Sequence, residues 1–168
     1  MMKSAAGLCA RLRKASKRIW HPERGPMDYS DLPQGVSLLE HTGDIGIEVR
    51  AESPESLFVQ AAKAMFYIML ETDHPQIKKR KRISVTGEDR EQLLVNWLSE
   101  LNFLAETEGF RPVDYFVSEL TDTAITCRVA AGRLNADLYK TQIKAVTFHK
   151  LTIRQKDDHW YARVIFDI

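Results

Sequence analysis

The chain has 168 residues and a nearly balanced charge, with 24 Lys+Arg against 23 Asp+Glu. With 44% hydrophobic and 28% charged residues, its composition is typical of a globular protein and excludes a disordered or fibrous chain. No apolar run approaches the roughly 18 residues that span a bilayer. The two cysteines, Cys9 and Cys127, lie too far apart for a paired-cysteine zinc motif. These features predict a cytoplasmic protein that has no membrane partner.

The charge is distributed unevenly along the chain. Residues 1–27 hold seven of the basic residues and one of the acidic ones, so they carry a formal +6 and residues 28–168 a formal −5. We therefore expect a basic, disordered extension over residues 1–34 and one folded domain over residues 35–168. The negative domain argues against a broad nucleic-acid-binding face but leaves room for a local basic patch.

The basic extension allows several interpretations. Four of its apolar residues recur at helical spacing, namely Leu8, Leu12, Ala15 and Ile19. A short basic amphipathic helix would suit a membrane surface, RNA phosphates or organelle targeting. The alternatives are a disordered extension, which we favour, or translation that starts at Met27. Mass spectrometry of the natural N-terminus distinguishes these cases.

The first half of the domain predicts strands and helices in alternation. Residues 36–42 and 45–51 have strand character, and the second segment alternates apolar with polar or small residues. Ser53 and the proline after it are typical of a helix start, and an apolar stripe continues to about Leu70. Residues 72–82 then read as a basic connector. Its charged run is typical of a solvated loop or of an edge strand blunted with charge, and phosphate binding is the alternative.

The second half predicts one more helix and a series of strands. A short strand over residues 83–85 precedes a helix from about Asp89 to Glu108, where Gly109 supplies a C-terminal cap. Strand character follows over residues 113–120, 124–131, 134–139, 143–154 and 159–168, with turns at 132–133 and 156–158. The pattern predicts an α+β fold in which two amphipathic helices pack on a largely antiparallel sheet.

Most catalytic templates are missing from the sequence. It has no glycine-rich phosphate loop, no nucleophile elbow and no His-Glu-x-x-His motif. Cys127 lies within a predicted strand without an electropositive context, which favours a small core residue over a nucleophile. The five histidines show no metal-ligand spacing on any one element.

Two polar places stand out against this background. Asp44 lies in a dense polar turn between two predicted strands, and Asp167 is the penultimate residue of the last strand, beside Ile168. If the turn lies next to that strand end, the oxygens of these three residues converge. Oxygen ligands without nitrogen or sulfur suit Ca²⁺ or Mg²⁺ rather than zinc. The alternatives are a carboxylate that caps its own turn and a solvated strand end.

Four segments resemble the archease family, in the family's order. They are EHTGDIGI at residues 40–47, LLVNWLSEL at 93–101, IKAVTFH at 143–149 and WYARVIFDI at 160–168. Gly43 departs from the family pattern, which more commonly has alanine there, but the residue stays small and the turn should survive. The basic extension has no counterpart in that pattern.

The resemblance implies a non-catalytic partner of an RtcB-type RNA ligase in tRNA splicing and RNA repair. It implies a transient contact that promotes guanylylation of the ligase and restores it for further turnovers, with RNA reached only indirectly. It further implies a divalent cation, Ca²⁺ before Mg²⁺, held by Asp44, Asp167 and Ile168. His41, Thr42 and His149 are candidates for orienting these ligands.

Two other classes of function stay open at this point. A metal-dependent phosphohydrolase could use the same carboxylates, with His41 or His149 as the proton-transfer group. A chaperone-like or RNA-binding adaptor could use the basic run at residues 78–82.

Overall fold

The computed structural model describes residues 32–41, 43–71 and 75–168, with the side chains of Glu40 and His41 left out of the description. The strands are β1 (Val36–His41), β2 (Asp44–Ala51), β3 (Lys79–Thr86), β4 (Phe110–Leu120), β5 (Ala124–Arg133), β6 (Ala145–Lys156) and β7 (His159–Asp167). The helices are α1 (Pro54–Met69) and α2 (Arg90–Glu108), with a short 3-10 turn over Ala136–Leu138. The expected extension over residues 1–34 lies almost entirely outside the described residues and stays a prediction.

The strands form two antiparallel sheets. The first has four strands in the order β1-β2-β7-β6, and the second has three in the order β3-β5-β4. The first sheet joins the start of the domain to its end, because β2 pairs with β7 along its whole length. The α+β class is confirmed, with one refinement: the antiparallel strands divide between two sheets.

Both helices contact strands of both sheets and enclose the core between them. Helix α1 starts where predicted, since the Ser53 side chain accepts a hydrogen bond from the backbone N–H of Ser56. Helix α2 starts after the Asp89 cap and ends at Gly109, whose φ of 58° is the left-handed conformation that glycine adopts without strain. The caps therefore fix both ends of α2 from local sequence.

The buried apolar side chains of the two helices and the two sheets form one hydrophobic cluster. Trp97 is fully buried, and its indole N–H donates to the carbonyl of Phe58 on α1 at 3.3 Å. This contact ties the two helices together and satisfies the one polar atom of the ring. Cys127 is also fully buried, and burial raises the pKa of its thiol to about 11. Its assignment to the core is confirmed.

The basic connector differs from the expectation. The strand predicted over residues 83–85 begins four residues earlier, so the basic residues from Lys79 onward belong to β3. They pair with β5, and β3 is an edge of its sheet. Lys79 and Lys81 point toward α2 and bind the carboxylate of Glu108 at 3.0 and 2.6 Å. Of the alternatives for the basic run, the structure supports an edge strand whose charged side chains discourage pairing with another chain.

Two further predictions were wrong. The turn expected at residues 132–133 does not exist, because Gly132 and Arg133 continue β5 and pair with the start of β4. The strand expected over residues 134–139 is instead the 3-10 turn, attached by a single bridge between Leu70 and Tyr139. The turn at the end of β6 was placed correctly, at Asp157 and Asp158.

Within the described ranges, neither helix is long and apolar enough to cross a membrane.

Candidate metal centre

The structure brings Asp44 and Asp167 together across two neighbouring strands. They are direct partners in the antiparallel register of β2 and β7. Residues in that relation project to the same face, with Cβ atoms roughly 4.5–5.5 Å apart. The convergence that the sequence left conditional is therefore present for these two carboxylates, although 122 residues lie between them in the chain.

The alternation of β2 places the pair on the outer face of the first sheet. Ile45, Ile47 and Val49 are buried against the helices, so Asp44 faces away from the core. Both aspartates are half-buried, and neither forms an ion pair with another described residue. Two neighbouring carboxylates without a cation repel each other, which favours binding of a positive charge between them.

Ile168 adds oxygen atoms next to this pair. Its main-chain oxygen accepts a hydrogen bond from the Lys144 ammonium at 2.8 Å. The backbone N–H of Lys144 also donates to the carbonyl of Asp167, again at 2.8 Å. Lys144 therefore holds the end of β7 in place and brings a positive charge to the oxygens that the sequence nominated.

Sequence reasoning missed Lys144. It lies in the IKAVTFH segment, immediately before β6, where a lysine alone carries no functional signal. The available clue was the adjacency of β6 and β7, which places Ala145 opposite Asp167. That register cannot be read from the sequence, because a strand pattern does not state which residue it will face.

The turn beside Asp44 is tight. His41 and Asp44 are paired residues at the end of β1 and β2, which leaves a two-residue connection. Gly43 in that connection has a φ of 89°, a conformation that favours glycine. Thr42 and the side chain of His41 lie outside the described part of the chain, so their orienting roles stay predictions.

His149 does not lie beside the aspartate pair. It is exposed on β6, four residues beyond the Ala145 that faces Asp167, or roughly 13 Å along a strand. The pairing of β6 with β7 is also interrupted between Thr147 and Thr152, and His149 lies within that interruption. The structure thus offers no described histidine as a proton-transfer group for the pair.

The donor set fits a hard cation. Carboxylate and main-chain oxygens are the ligands that Ca²⁺ takes in a flexible arrangement, and a site of this kind is completed by water. Two described carboxylates are fewer than a closed protein cage requires. Within the described part of the chain, no group of three or more His, Cys, Asp or Glu side chains forms a metal cluster. The pair therefore suits an open site that keeps coordination positions for another molecule.

Comparison with known proteins gives a consistent family. Residues 37–168 match the archease protein family. Protein archease of Methanopyrus kandleri is 33% identical over 135 residues, which cover 77% of this chain and 96% of that protein. Protein archease of Methanothermobacter thermautotrophicus is 34% identical over 143 residues, covering 80% and 99%.

Solved structures agree with the fold. The solution structure of Methanobacterium thermoautotrophicum protein 1598 superposes with a TM-score of 0.66 at 31% identity, covering 80% of this chain and 99% of that one. The crystal structure of an archease from Thermotoga maritima, described as a possible chaperone, has a TM-score of 0.55 at 23% identity. It covers 77% of this chain and 94% of its own, and supports the architecture alone. The family match covers residues 37–168, and the two relatives are matched over nearly their whole lengths. These findings show that this chain belongs to the archease family.

Proposed function

We propose that the protein is a non-catalytic, metal-binding activator of an RtcB-type RNA ligase, acting in the cytoplasm during tRNA splicing and RNA repair. The observation that carries the proposal is the direct opposition of Asp44 and Asp167 at the end of the first sheet. The archease relatives are named as archeases rather than as enzymes, which agrees with an accessory role.

The site residues would act by holding a divalent cation at an exposed rim. Asp44 and Asp167 supply charge, Ile168 supplies main-chain oxygen, and Lys144 fixes the strand end that carries them. A bound cation would supply positive charge and open coordination positions to phosphate oxygens. Ca²⁺ is the first candidate and Mg²⁺ the alternative, since both prefer oxygen ligands.

Contact with the ligase would be transient and would favour its guanylylation. The aspartate pair is half-buried on an outer sheet face, so a partner can approach it without unfolding the domain. Under this proposal the two carboxylates would hold the cation, which would supply positive charge to the nucleotide phosphates of the ligase. RNA is then joined by the ligase, which itself carries out the chemistry.

The test uses the full chain with a purified RtcB-type ligase, GTP and RNA ends. Asp44→Asn and Asp167→Asn retain side-chain size and remove one charge each, whereas Glu119→Gln makes the same change on an exposed residue of β4. Loss of a ligand should reduce stimulated guanylylation at least tenfold, since even residues behind metal ligands cost 10–100-fold. Glu119→Gln should stimulate like the wild type.

Cation binding is measured separately by calorimetric titration with CaCl₂ and MgCl₂. Both aspartate variants should lose the heat of binding while their thermal unfolding stays cooperative. The proposal fails if both variants still accelerate the ligase as the wild type does. Metal-dependent turnover of a nucleotide by the protein alone would instead favour the phosphohydrolase alternative.

A further inference from the structure

A cationic groove lies on the same outer face as the aspartate pair, toward the other end of the strands. Its volume is about 590 Å³, in the range of pockets that hold small ligands. Arg50 is six residues along β2 from Asp44, so the groove lies roughly 20 Å from the pair. The groove is lined by Glu48, Arg50, Arg154, Lys156, Asp157, His159, Trp160, Tyr161 and Arg163.

The strand register arranges these residues in rows. Tyr161 on β7 lies between Arg50 on β2 and Arg154 on β6. The next row pairs His159 with Lys156. Successive rows on one face are about 7 Å apart, because side chains alternate along a strand. The cations therefore form a ladder across two rows rather than a single cluster.

One acidic residue in the groove is already neutralised. Glu48 accepts hydrogen bonds from the Tyr161 hydroxyl at 2.7 Å and from Arg163 Nε at 3.0 Å, and it forms an ion pair with the Arg163 guanidinium. In contrast, Arg50, Arg154 and Lys156 are exposed and form no ion pair with any described residue. The groove therefore presents three cations that form no ion pair with a described carboxylate, and Asp157 is the second acidic residue of its lining.

The groove also offers planar groups for stacking. Tyr161 and Arg154 both line the groove, and the Arg154 guanidinium lies 4.9 Å from the centroid of the Tyr161 ring. Guanidinium planes and aromatic rings are the surfaces on which unpaired bases stack. An acidic peptide would use the cations but leave these planar groups without a matching partner.

We propose that the cationic groove binds a single strand of nucleic acid, with its phosphates on Arg50, Arg154 and Lys156 and its bases on the planar groups. This is a direct contact, made by residues separate from the aspartate pair, and it does not depend on the ligase. The net negative charge of residues 28–168 restricts binding to this local surface.

The test compares two triple variants of the full chain. The groove variant is Arg50→Gln, Arg154→Gln and Lys156→Gln. The matched variant is Lys78→Gln, Arg80→Gln and Arg82→Gln, which removes the same charge from exposed residues at the β3 edge. The probe is a labelled oligouridylate of about ten nucleotides, followed by fluorescence anisotropy at several salt concentrations. The basic residues of 1–27 are the same in every protein, so their contribution does not distinguish the variants.

The groove variant should bind the probe on the order of 100-fold more weakly at ~0.1 M salt, because each single-strand phosphate contact changes log K by about 0.7 of log[salt]. The β3-edge variant should stay within twofold of the wild type. Arg154→Lys, which keeps the charge and removes the plane, should weaken binding severalfold.

Four outcomes would overturn the proposal. They are no binding by the wild type, equal losses in the two triple variants, binding of a duplex of the same length as tightly as the single strand, and an unaffected groove variant. If the groove variant binds oligouridylate normally but loses the ligase, the groove is a protein-docking surface instead. Far-ultraviolet circular dichroism confirms that the variants, all at exposed positions, stay folded.

Discussion

Lys144 had no role in the sequence prediction, and the structure places it at the end of β7 beside the proposed cation site. Its ammonium donates to the main-chain oxygen of Ile168, so it occupies an oxygen that the proposed cation would use. The same lysine also orders the end of β7 through its backbone N–H. It therefore both supports the proposed site and competes with the ion for it.

Lys144→Met should tighten Ca²⁺ binding. Removal of one unit charge ~4 Å from a doubly charged ion relieves a repulsion of about 2 kcal/mol in water, or roughly thirtyfold in affinity. Calorimetric titration with CaCl₂ measures the change, and Lys63→Met on the exposed side of α1 is the control. Weaker binding in the Lys144 variant would mean that its ordering of the strand end outweighs its charge.

Glu48 should make the stability of the protein depend on pH. Hydrogen bonds from Arg163, and then from Tyr161, lower the pKa of its carboxyl below the ordinary value of 4.5. The folded state therefore holds the charged form more strongly than the unfolded state does. Its stabilisation is complete above pH 4.5 and is lost as the pH falls through the lowered pKa.

Glu48→Gln should accordingly reduce the free energy of unfolding by about 1 kcal/mol at pH 7, since the carboxylate is partly exposed. The difference between variant and wild type should shrink as the pH falls below 4.5 and through the lowered pKa of Glu48. Urea unfolding at several pH values measures this. A difference that stays constant over the range would contradict the assigned role of the charge.

At the scale of elements, Gly109 fixes the end of α2 and the entry into β4. Gly109→Ala should lower the free energy of unfolding by about 1 kcal/mol, because a Cβ is strained in the left-handed conformation. Ser99→Ala, at an exposed position of the same helix, should change stability little. Urea unfolding of both variants makes the comparison, and equal effects would show that the cap conformation carries no cost.

The elements that sequence predicted best are those with local causes. Helix α2 has its cap residues and its apolar stripe within its own 19 residues, and its limits were correct to one residue. The sequence prediction wrongly assigned residues 132–133 to a turn. Glycine is required at position 132 because another segment of the chain packs closely against its backbone. A Cβ on Gly132 would lie 2.7 Å from a side-chain carbon of Pro75, a contact between distant segments. Tertiary packing of this kind leaves no local pattern.

The candidate site shows the same division. The sequence nominated Asp44 and Asp167 and stated the condition under which they would meet. The condition itself depends on the pairing of β2 with β7, which a strand pattern cannot specify. His149 was a candidate only for orienting the ligands or transferring a proton, and the fold places it four residues along β6 from the residue that faces Asp167. The sequence therefore identified the candidate residue types, but the distances between them could be found only from the folded structure.

At the scale of the whole molecule, Cys127 can report on global unfolding. Cys127 lies in β5, and its side chain is fully buried. Burial raises the pKa of its thiol to about 11. At pH 8 only about one thiol in a thousand would then be a thiolate, the form that reacts. Access would require the layers to separate.

A Cys9→Ser variant leaves Cys127 as the sole thiol and allows a direct test. Labelling by a thiol reagent at pH 8 should be very slow in buffer and should rise with urea in parallel with unfolding measured by circular dichroism. A chemically unfolded sample gives the rate of the accessible thiol. Rapid labelling in buffer would show that the second sheet opens locally without global unfolding.

The pairing of β2 with β7 also has a consequence for synthesis on the ribosome. About 110 residues separate the two strands. At a translation rate of roughly 5–20 residues per second, β7 is synthesised on the order of 5–20 s after β2. During that time the β1–β2 hairpin has an open edge and an apolar face formed by Ile45, Ile47 and Val49. The nascent chain is therefore most vulnerable to aggregation until translation reaches its last strand.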